Sequence, residues 1–145
     1  MYLRFRHFGS ARRNIDHIRT TATPAVQDSR GNLLVIDKNT HPRLKFNRVF
    51  FLKSENPTIR GNHAHLACHQ TFQVLSGTAK LRIRDGYREI EIVPSNHTEL
   101  TEVPSGLWVE VELSKECLIL VYADRSYRKS DYIRSYQHFL EFKGH

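Results

Sequence analysis

Cysteine is scarce in this sequence, and long apolar runs are missing from it. The 145 residues include two cysteines, Cys68 and Cys117, too few for a disulfide scaffold, so we expect both to be small buried residues. No stretch approaches the roughly 18 apolar residues of a membrane span, and the N-terminus lacks the apolar core of a signal peptide. These absences favour a single cytoplasmic domain with no membrane partner.

Acidic residues are outnumbered by basic ones, 15 to 22, which gives a formal net charge of +7. Nucleic-acid binding needs basic residues clustered among exposed aromatics, whereas here they are scattered, with a modest concentration near the N-terminus. A small phosphorylated ligand needs only a few well-placed arginines. The charge therefore favours a small anionic ligand over nucleic acid.

Short alternating segments follow one another after residue 30 and predict β-strands. Each is rich in β-branched or aromatic residues, and turn signals such as Asp85-Gly86 separate them. The predicted strands cover 32–37, 47–52, 71–77, 79–85, 88–93, 107–113 and 117–123. So many short strands in one domain predict an antiparallel β-sandwich or barrel.

The two ends of the chain differ from this pattern. Residues 1–25 are predicted to be a basic, extended and partly helical arm, and residues 26–145 a single domain. The segment 130–143 predicts a short C-terminal helix, because Ser130 and Asp131 can cap it. Apolar residues then follow at helical spacing: Ile133, Tyr136 and Leu140.

The sequence RGNHAHLACHQ, residues 60–70, concentrates side chains that bind metals or protons. On a strand, His63 and His65 point to the same face with α-carbons about 6–7 Å apart, close enough to share one ligand. His69 lies across a predicted turn from them. The pair is typical of a metal site or a proton-handling site, the alternatives being exposed or core histidines.

The surrounding spacing resembles the first motif of the cupins, β-barrels that often hold a metal. The matching residues are Gly61, His63, His65, a polar residue at 70 and Gly77. Metal-binding cupins commonly carry glutamate at the position of Gln70, and a histidine where the later PSGLWV motif here has Val109. Because glutamine is a weak ligand and valine is none, we predict that the site holds no metal.

Without a metal, paired imidazoles suit proton transfer. Their ordinary pKa of about 6.5 allows one ring to be basic while its neighbour is protonated near neutral pH. Such a pair can remove a proton next to a carbonyl group and return it to the neighbouring carbon.

The resemblance extends over residues 26–142 and becomes specific. The segments DSRGNLLVID, FNRVFFL, RGNHAH, HQTFQVLSG and SDYIRSYQHF follow in an order similar to that of the nucleotide-sugar 3,4-ketoisomerases, metal-independent cupins also called WxcM-like sugar isomerases. This resemblance implies a cupin-like all-β barrel or jelly roll, a homodimer with exchanged N-terminal strands, and no cofactor. It also implies conversion of dTDP-4-keto-6-deoxy-D-glucose to a dTDP-3-keto-6-deoxyhexose, a precursor of bacterial deoxyamino sugars.

The same resemblance suggests roles for individual residues. We predict His65 as the principal base, with His63 as its partner in shuttling the proton or holding the sugar oxygens. Four further residues are predicted to bind the substrate: Arg48, Phe50, Arg60 and Gln70. Asp131 and Arg134 lie in a family motif, and their simplest role is to cap and dock the C-terminal helix.

Phe50 is the main departure from the family, which often has a tyrosine there. Phenylalanine cannot donate a hydrogen bond or a proton to the sugar. Either the hydroxyl is dispensable, or another tyrosine such as Tyr122 replaces it, or the reaction has changed. Three other functions stay open: a related nucleotide-sugar epimerase, a non-catalytic nucleotide-sugar binding module, and a metal-dependent cupin.

Overall fold

A computed structural model describes residues 8–145, so the arginines at 4 and 6 of the predicted basic arm lie outside the described residues. Alternation of apolar and polar residues makes many short segments bury one face, which favours strands. The strands are β1 (Arg19–Ala22), β2 (Ala25–Asp28), β3 (Gly31–Leu34), β4 (Arg48–Lys53), β5 (Thr58–His65), β6 (Gln70–Ser76), β7 (Ala79–Arg84), β8 (Glu89–Ile92), β9 (Glu99–Val103), β10 (Trp108–Leu113), β11 (Leu118–Ala123) and β12 (Tyr132–Ile133). The helices are α1 (Phe8–Ala11) and α2 (Tyr136–Lys143).

The strands form two five-stranded antiparallel sheets and one hairpin. The first sheet has the order β1-β9-β6-β11-β4, the second has the order β12-β5-β10-β7-β8, and β2 pairs with β3. Inward-facing residues of both sheets share one apolar core, which includes Phe72, Val74, Leu81, Ile83, Val109, Val111, Ile119 and Val121. The predicted cupin-like all-β fold with a short C-terminal helix is confirmed.

Several strand ends meet at one end of this barrel and position the candidate site. β5 ends at His65, and a loop of four residues leads directly to the start of β6 at Gln70. β11 ends at Ala123, which pairs with Gln70 on one side and with Arg48 on the other. Tyr132 begins β12 and pairs with His65. Residues far apart in sequence therefore converge on this end.

The C-terminal helix begins later than predicted, so the helix start at Ser130 is wrong. Lys129–Asp131 form a 3-10 turn, and Tyr132–Ile133 pair with β5 as a short strand. The helix begins at Tyr136, and the Ser135 hydroxyl accepts a backbone N–H of its first turn. Pairing with β5 outweighs the helical spacing that the sequence shows in this segment.

The described residues of the predicted arm contain more secondary structure than expected. A 3-10 helix at Ile15–His17 follows α1, and β1 then pairs with β9 of the same chain, Arg19 lying opposite Glu102. The arm is also tied to α2, because Lys143 Nζ donates hydrogen bonds to the carbonyls of Arg13 and Gly106.

The structure tests two expectations from the composition, one about the cysteines and one about membrane-spanning segments. Cys68 and Cys117 are buried and form no disulfide, which confirms their predicted burial. No helix among residues 8–145 is both long and apolar enough to cross a membrane.

Candidate active site

A β-bulge in β5 aims its histidines into the barrel. Gly61 and Asn62 have positive φ angles of 84° and 61°, and the register with β10 shifts between Val109 and Glu110. A β-carbon on residue 61 would lie 2.7 Å from the Val109 carbonyl oxygen, so only glycine fits there. Beyond the bulge His63 lies opposite Val109, a core residue, and therefore points inward.

His63 and His65 lie side by side, and Tyr132 lies against both. The two imidazole centroids are 4.9 Å apart, with their planes at 88°. The Tyr132 ring centroid is 4.9 Å from that of His63 and 4.4 Å from that of His65. The structure thus brings the two predicted histidines together, and it adds a tyrosine that the sequence analysis did not single out.

Asp131 orients the imidazole of His65. Its Oδ2 accepts a hydrogen bond from His65 Nδ1 at 2.8 Å, and its Oδ1 accepts one from the backbone N–H of Ala67 at 2.7 Å. Desolvation favours the protonated carboxyl, but hydrogen bonds from His65 and Ala67 outweigh it and hold the pKa of Asp131 below its ordinary value. The carboxylate therefore fixes the proton of His65 on Nδ1. The Nε2 of His65 is buried and has no hydrogen-bond partner among the described residues.

His63 is held in the same tautomer by a different acceptor. Its Nδ1 donates a hydrogen bond to the Gly61 carbonyl at 3.0 Å, which leaves the lone pair on Nε2. Desolvation, with repulsion from His65, lowers the pKa of His63 to about 4. His63 is therefore an uncharged acceptor at neutral pH.

Two of the predicted substrate-binding residues share the inner face of the first sheet at this end. Arg48 and Gln70 pair with Ala123 from opposite sides, so all three side chains point to the same face. Gln70 is buried, and the Nε of Arg48 is buried with no hydrogen-bond partner among residues 8–145. A buried donor without an acceptor lowers the stability of the fold unless a ligand accepts its hydrogen bond.

Ring contacts connect Arg48 to the histidine pair. The Arg48 guanidinium carbon lies 5.2 Å from the Phe50 ring centroid and 5.7 Å from that of Tyr127. The Tyr127 ring is in turn 5.6 Å from that of Tyr132. We call this set the pocket cluster; its members are His63, His65, Tyr132, Tyr127, Arg48 and Phe50.

The two remaining arginines of interest lie in different places. Arg60 is exposed and pairs with Val111, on the other side of the bulge from the histidines. Arg134 places its guanidinium carbon 4.4 Å from the Tyr132 ring centroid, while Ser135 caps the helix. The expected capping role of Asp131 and Arg134 is therefore wrong, and the Arg134 charge lies at the edge of the pocket cluster.

Tyr122 does not replace the hydroxyl that Phe50 lacks. It lies on the face of β11 opposite to the core residue Val121, and its hydroxyl donates to Gln73 Oε1 at 3.0 Å. The tyrosine that does reach the histidines is Tyr132. The alternation of Tyr132 and Arg134 could have indicated it, had the segment been interpreted as a strand.

His65, Cys68 and Asp131 present ligand atoms within 4.8 Å of one another, so a metal at this position needs testing against their chemistry. The Asp131 carboxylate is already engaged by His65 and by backbone N–H groups. Burial raises the pKa of the Cys68 thiol and keeps it protonated, whereas a metal binds the thiolate. The three side chains are therefore better explained as an imidazole oriented by a carboxylate than as the ligands of a metal.

A cupin-like barrel with an inward-facing histidine pair defines the class of this protein, and the comparisons agree with it. The family model described as "FdtA: WxcM-like, C-terminal" matches residues 16–144. The chain therefore belongs to this family, which confirms the family predicted from its motifs. A TDP-4-oxo-6-deoxy-alpha-D-glucose-3,4-oxoisomerase from Aneurinibacillus thermoaerophilus is 32% identical over 121 residues, covering 81% of this chain and 86% of that protein.

Solved structures show the same fold. A sugar 3,4-ketoisomerase from Thermoanaerobacterium thermosaccharolyticum in complex with TDP is 25% identical, with a TM-score of 0.81 over 88% of this chain and 94% of that one. A TDP-fucose-3,4-ketoisomerase from Campylobacter jejuni is 26% identical, with a TM-score of 0.79 over 88% and 96%. A 3,4-ketoisomerase from Helicobacter canadensis, 23% identical, superposes with a TM-score of 0.82 over 89% and 98%.

Proposed function

We propose that this protein converts dTDP-4-keto-6-deoxy-D-glucose to a dTDP-3-keto-6-deoxyhexose for deoxyamino-sugar synthesis. The observation that carries the proposal is the buried Nε2 of His65, which has no hydrogen-bond partner among residues 8–145. Asp131 orients it next to His63. Relatives named as TDP-sugar 3,4-ketoisomerases support the same class of reaction.

His65 is the base in this proposal. Its Nε2 takes the proton from C3 of the sugar while the C4 oxygen gains a proton, which gives an enediol. The imidazolium then returns its proton to C4 while the hydroxyl on C3 loses one, which leaves the carbonyl at C3. Because C4 is reduced while C3 of the same sugar is oxidised, the reaction needs no external oxidant and no cofactor.

The remaining site residues bind the substrate. Uncharged His63 accepts a hydrogen bond from a sugar hydroxyl or passes the proton on, and Gln70 supplies a neutral hydrogen-bonding group. Arg48 donates a hydrogen bond from its buried Nε to a sugar or phosphate oxygen, and exposed Arg60 binds the diphosphate. Phe50 forms an apolar wall for the deoxy carbon of the sugar.

Incubation with dTDP-4-keto-6-deoxyglucose in deuterated water tests the function. The expected result, measured by NMR, is a 3-keto product that carries deuterium at C4, because the imidazolium of His65 exchanges its N–H with the solvent before it protonates C4. The related epimerase predicts exchange at a ring carbon with the keto group still at C4. A non-catalytic binding module predicts TDP binding with neither exchange nor product, and either outcome would contradict the isomerase.

We further propose that the protein acts as a homodimer. Large apolar side chains are exposed on the β2–β3 hairpin, with Val26 at 62% and Leu33 at 60%, and on the edge strand β4, with Phe51 at 66%. Exposed apolar surface of this kind is typical of a protein interface. A second copy of the chain covers it in this proposal, and exchange of N-terminal strands between the copies stays a prediction.

Phe51→Asp is expected to dissociate this dimer. A charge in an apolar interface removes a contact of about 2 kcal/mol or more, which weakens dimerisation by about 30-fold or more. Sedimentation should show the wild type at twice the mass of one chain and the variant at the mass of one chain. Tyr87→Asp is the matched control, since Tyr87 is 75% exposed on another hairpin. A monomeric wild type would contradict the proposal.

A further inference from the structure

The proposed isomerisation needs an acid that the two histidines do not supply. A proton must reach the C4 oxygen in the first half of the reaction, and one must leave the C3 hydroxyl in the second. His65 is occupied with the carbon-bound proton, and His63 is uncharged at neutral pH because its pKa is lowered to about 4. Phe50 has no hydroxyl to offer.

We propose that the Tyr132 hydroxyl is this acid, which makes Tyr132 a catalytic residue that exchanges a proton with the sugar oxygens. The inference rests on the proposed function. Among residues 8–145, Tyr132 is the one tyrosine whose ring contacts the histidine pair, at 4.9 Å and 4.4 Å between centroids.

The backbone fixes Tyr132 in this position. It pairs directly with His65 across β5 and β12, so the two side chains share a face. The next residue, Ile133, packs on the opposite face against the cluster formed by Ala64, Trp108 and Phe139. Since side chains alternate along a strand, Tyr132 points into the barrel.

The acid and the base are positioned by the same short segment. Asp131 holds His65 through its carboxylate, and its carbonyl accepts the backbone N–H of Leu66 at 2.8 Å. Tyr132 follows it immediately in sequence. Any movement of this segment therefore moves the base and the acid together, which keeps their separation constant.

Arg134 holds the Tyr132 ring from the other side. Its guanidinium carbon lies 4.4 Å from the Tyr132 ring centroid, a cation–π contact. This contact restricts the position of the ring whose hydroxyl is the proposed acid.

The protons balance over the two half-reactions. In the first, His65 takes the proton on C3 and Tyr132 gives one to the C4 oxygen, which yields the enediol, an imidazolium and a tyrosinate. In the second, the tyrosinate takes the proton of the C3 hydroxyl and the imidazolium gives its proton to C4. Both side chains return to their starting states, and the carbonyl group has moved from C4 to C3.

Tyr132→Phe tests this role, because it removes the hydroxyl and keeps the ring that packs on the histidines. We expect kcat to fall by about 100-fold or more, the usual contribution of a positioned acid. The dissociation constant for TDP should stay within about twofold, since ring packing is unchanged. Tyr136→Phe is the matched control: its ring packs on Trp108, at 5.1 Å between centroids, and lies outside the pocket cluster, so it should keep kcat within about threefold.

Three results would overturn the inference. One is a Tyr132→Phe variant with wild-type kcat, which would leave the isomerase function intact and remove only the acid. Another is an equal loss of kcat in Tyr136→Phe. A third is a loss of kcat in Tyr132→Phe that is matched by weaker TDP binding. Both would indicate a structural role for the tyrosine. A wild-type protein that forms no 3-keto product is a separate failure, since it removes the proposed function together with the acid.

Discussion

His65→Asn is expected to lower kcat by about 10⁴-fold, because the imidazole takes part in both proton transfers to and from carbon. Asparagine is the informative replacement, since its amide nitrogen can occupy the place of Nδ1 and still donate to Asp131, which His65 contacts at 2.8 Å. Folding and TDP binding should therefore be retained. The measurements are the initial rate of 3-keto product by NMR, the TDP dissociation constant and the melting temperature.

His69→Asn is the matched control for that experiment. His69 lies in the loop after β5, where its backbone N–H donates to Asp124 at 2.9 Å. It lines a cavity of about 770 Å³ that neither His63 nor His65 lines. We expect this variant to keep kcat within about threefold. Wild-type turnover by His65→Asn would remove the proposed base, and an equal loss in both variants would point to a general effect on folding.

The strands that could be predicted from the sequence are those whose apolar residues alternate on their own. In β7, β10 and β11 about every second side chain faces the core. These strands can therefore be predicted from the local sequence alone, whatever strands they pair with. β1 and β9, with the sequences RTTA and ELTEV, were not predicted. β1 is exposed throughout and is a strand because Arg19–Ala22 pair with Glu99–Glu102, a long-range contact that local pattern does not encode.

The candidate site divides in the same way. His63 and His65 were predicted to share a face because the two-residue period of a strand requires it. Asp131 and Tyr132 were missed as functional residues, since they reach the histidines through a contact between positions 66 residues apart. The residue pattern from Ser130 onward also predicts the start of a helix, and Tyr132–Ile133 form a strand only because they pair with β5. Local spacing therefore predicted the base but neither the carboxylate that orients it nor the tyrosine beside it.

Asp131→Asn is expected to lower kcat by about 10³-fold with little change in TDP binding, because it inverts the tautomer of His65. Oδ1 accepts the backbone N–H of Ala67 at 2.7 Å, so the amide oxygen of asparagine must take that position. The amide NH₂ then faces His65 Nδ1, which has to accept. The proton moves to Nε2, and the atom that should remove the C3 proton has no lone pair.

Asp124→Asn provides the control for this variant. The Oδ1 of Asp124 accepts the backbone N–H of His69 at 2.9 Å, and the amide oxygen of asparagine can accept the same bond. It should retain kcat within about threefold. Nitrogen-15 chemical shifts of His65 report the tautomer directly, and they should show a protonated Nε2 in Asp131→Asn alone. If Asp131→Asn kept the proton on Nδ1 and the wild-type kcat, Asp131 would only hold the backbone of Ala67, and His65 would need no orienting carboxylate to act as a base.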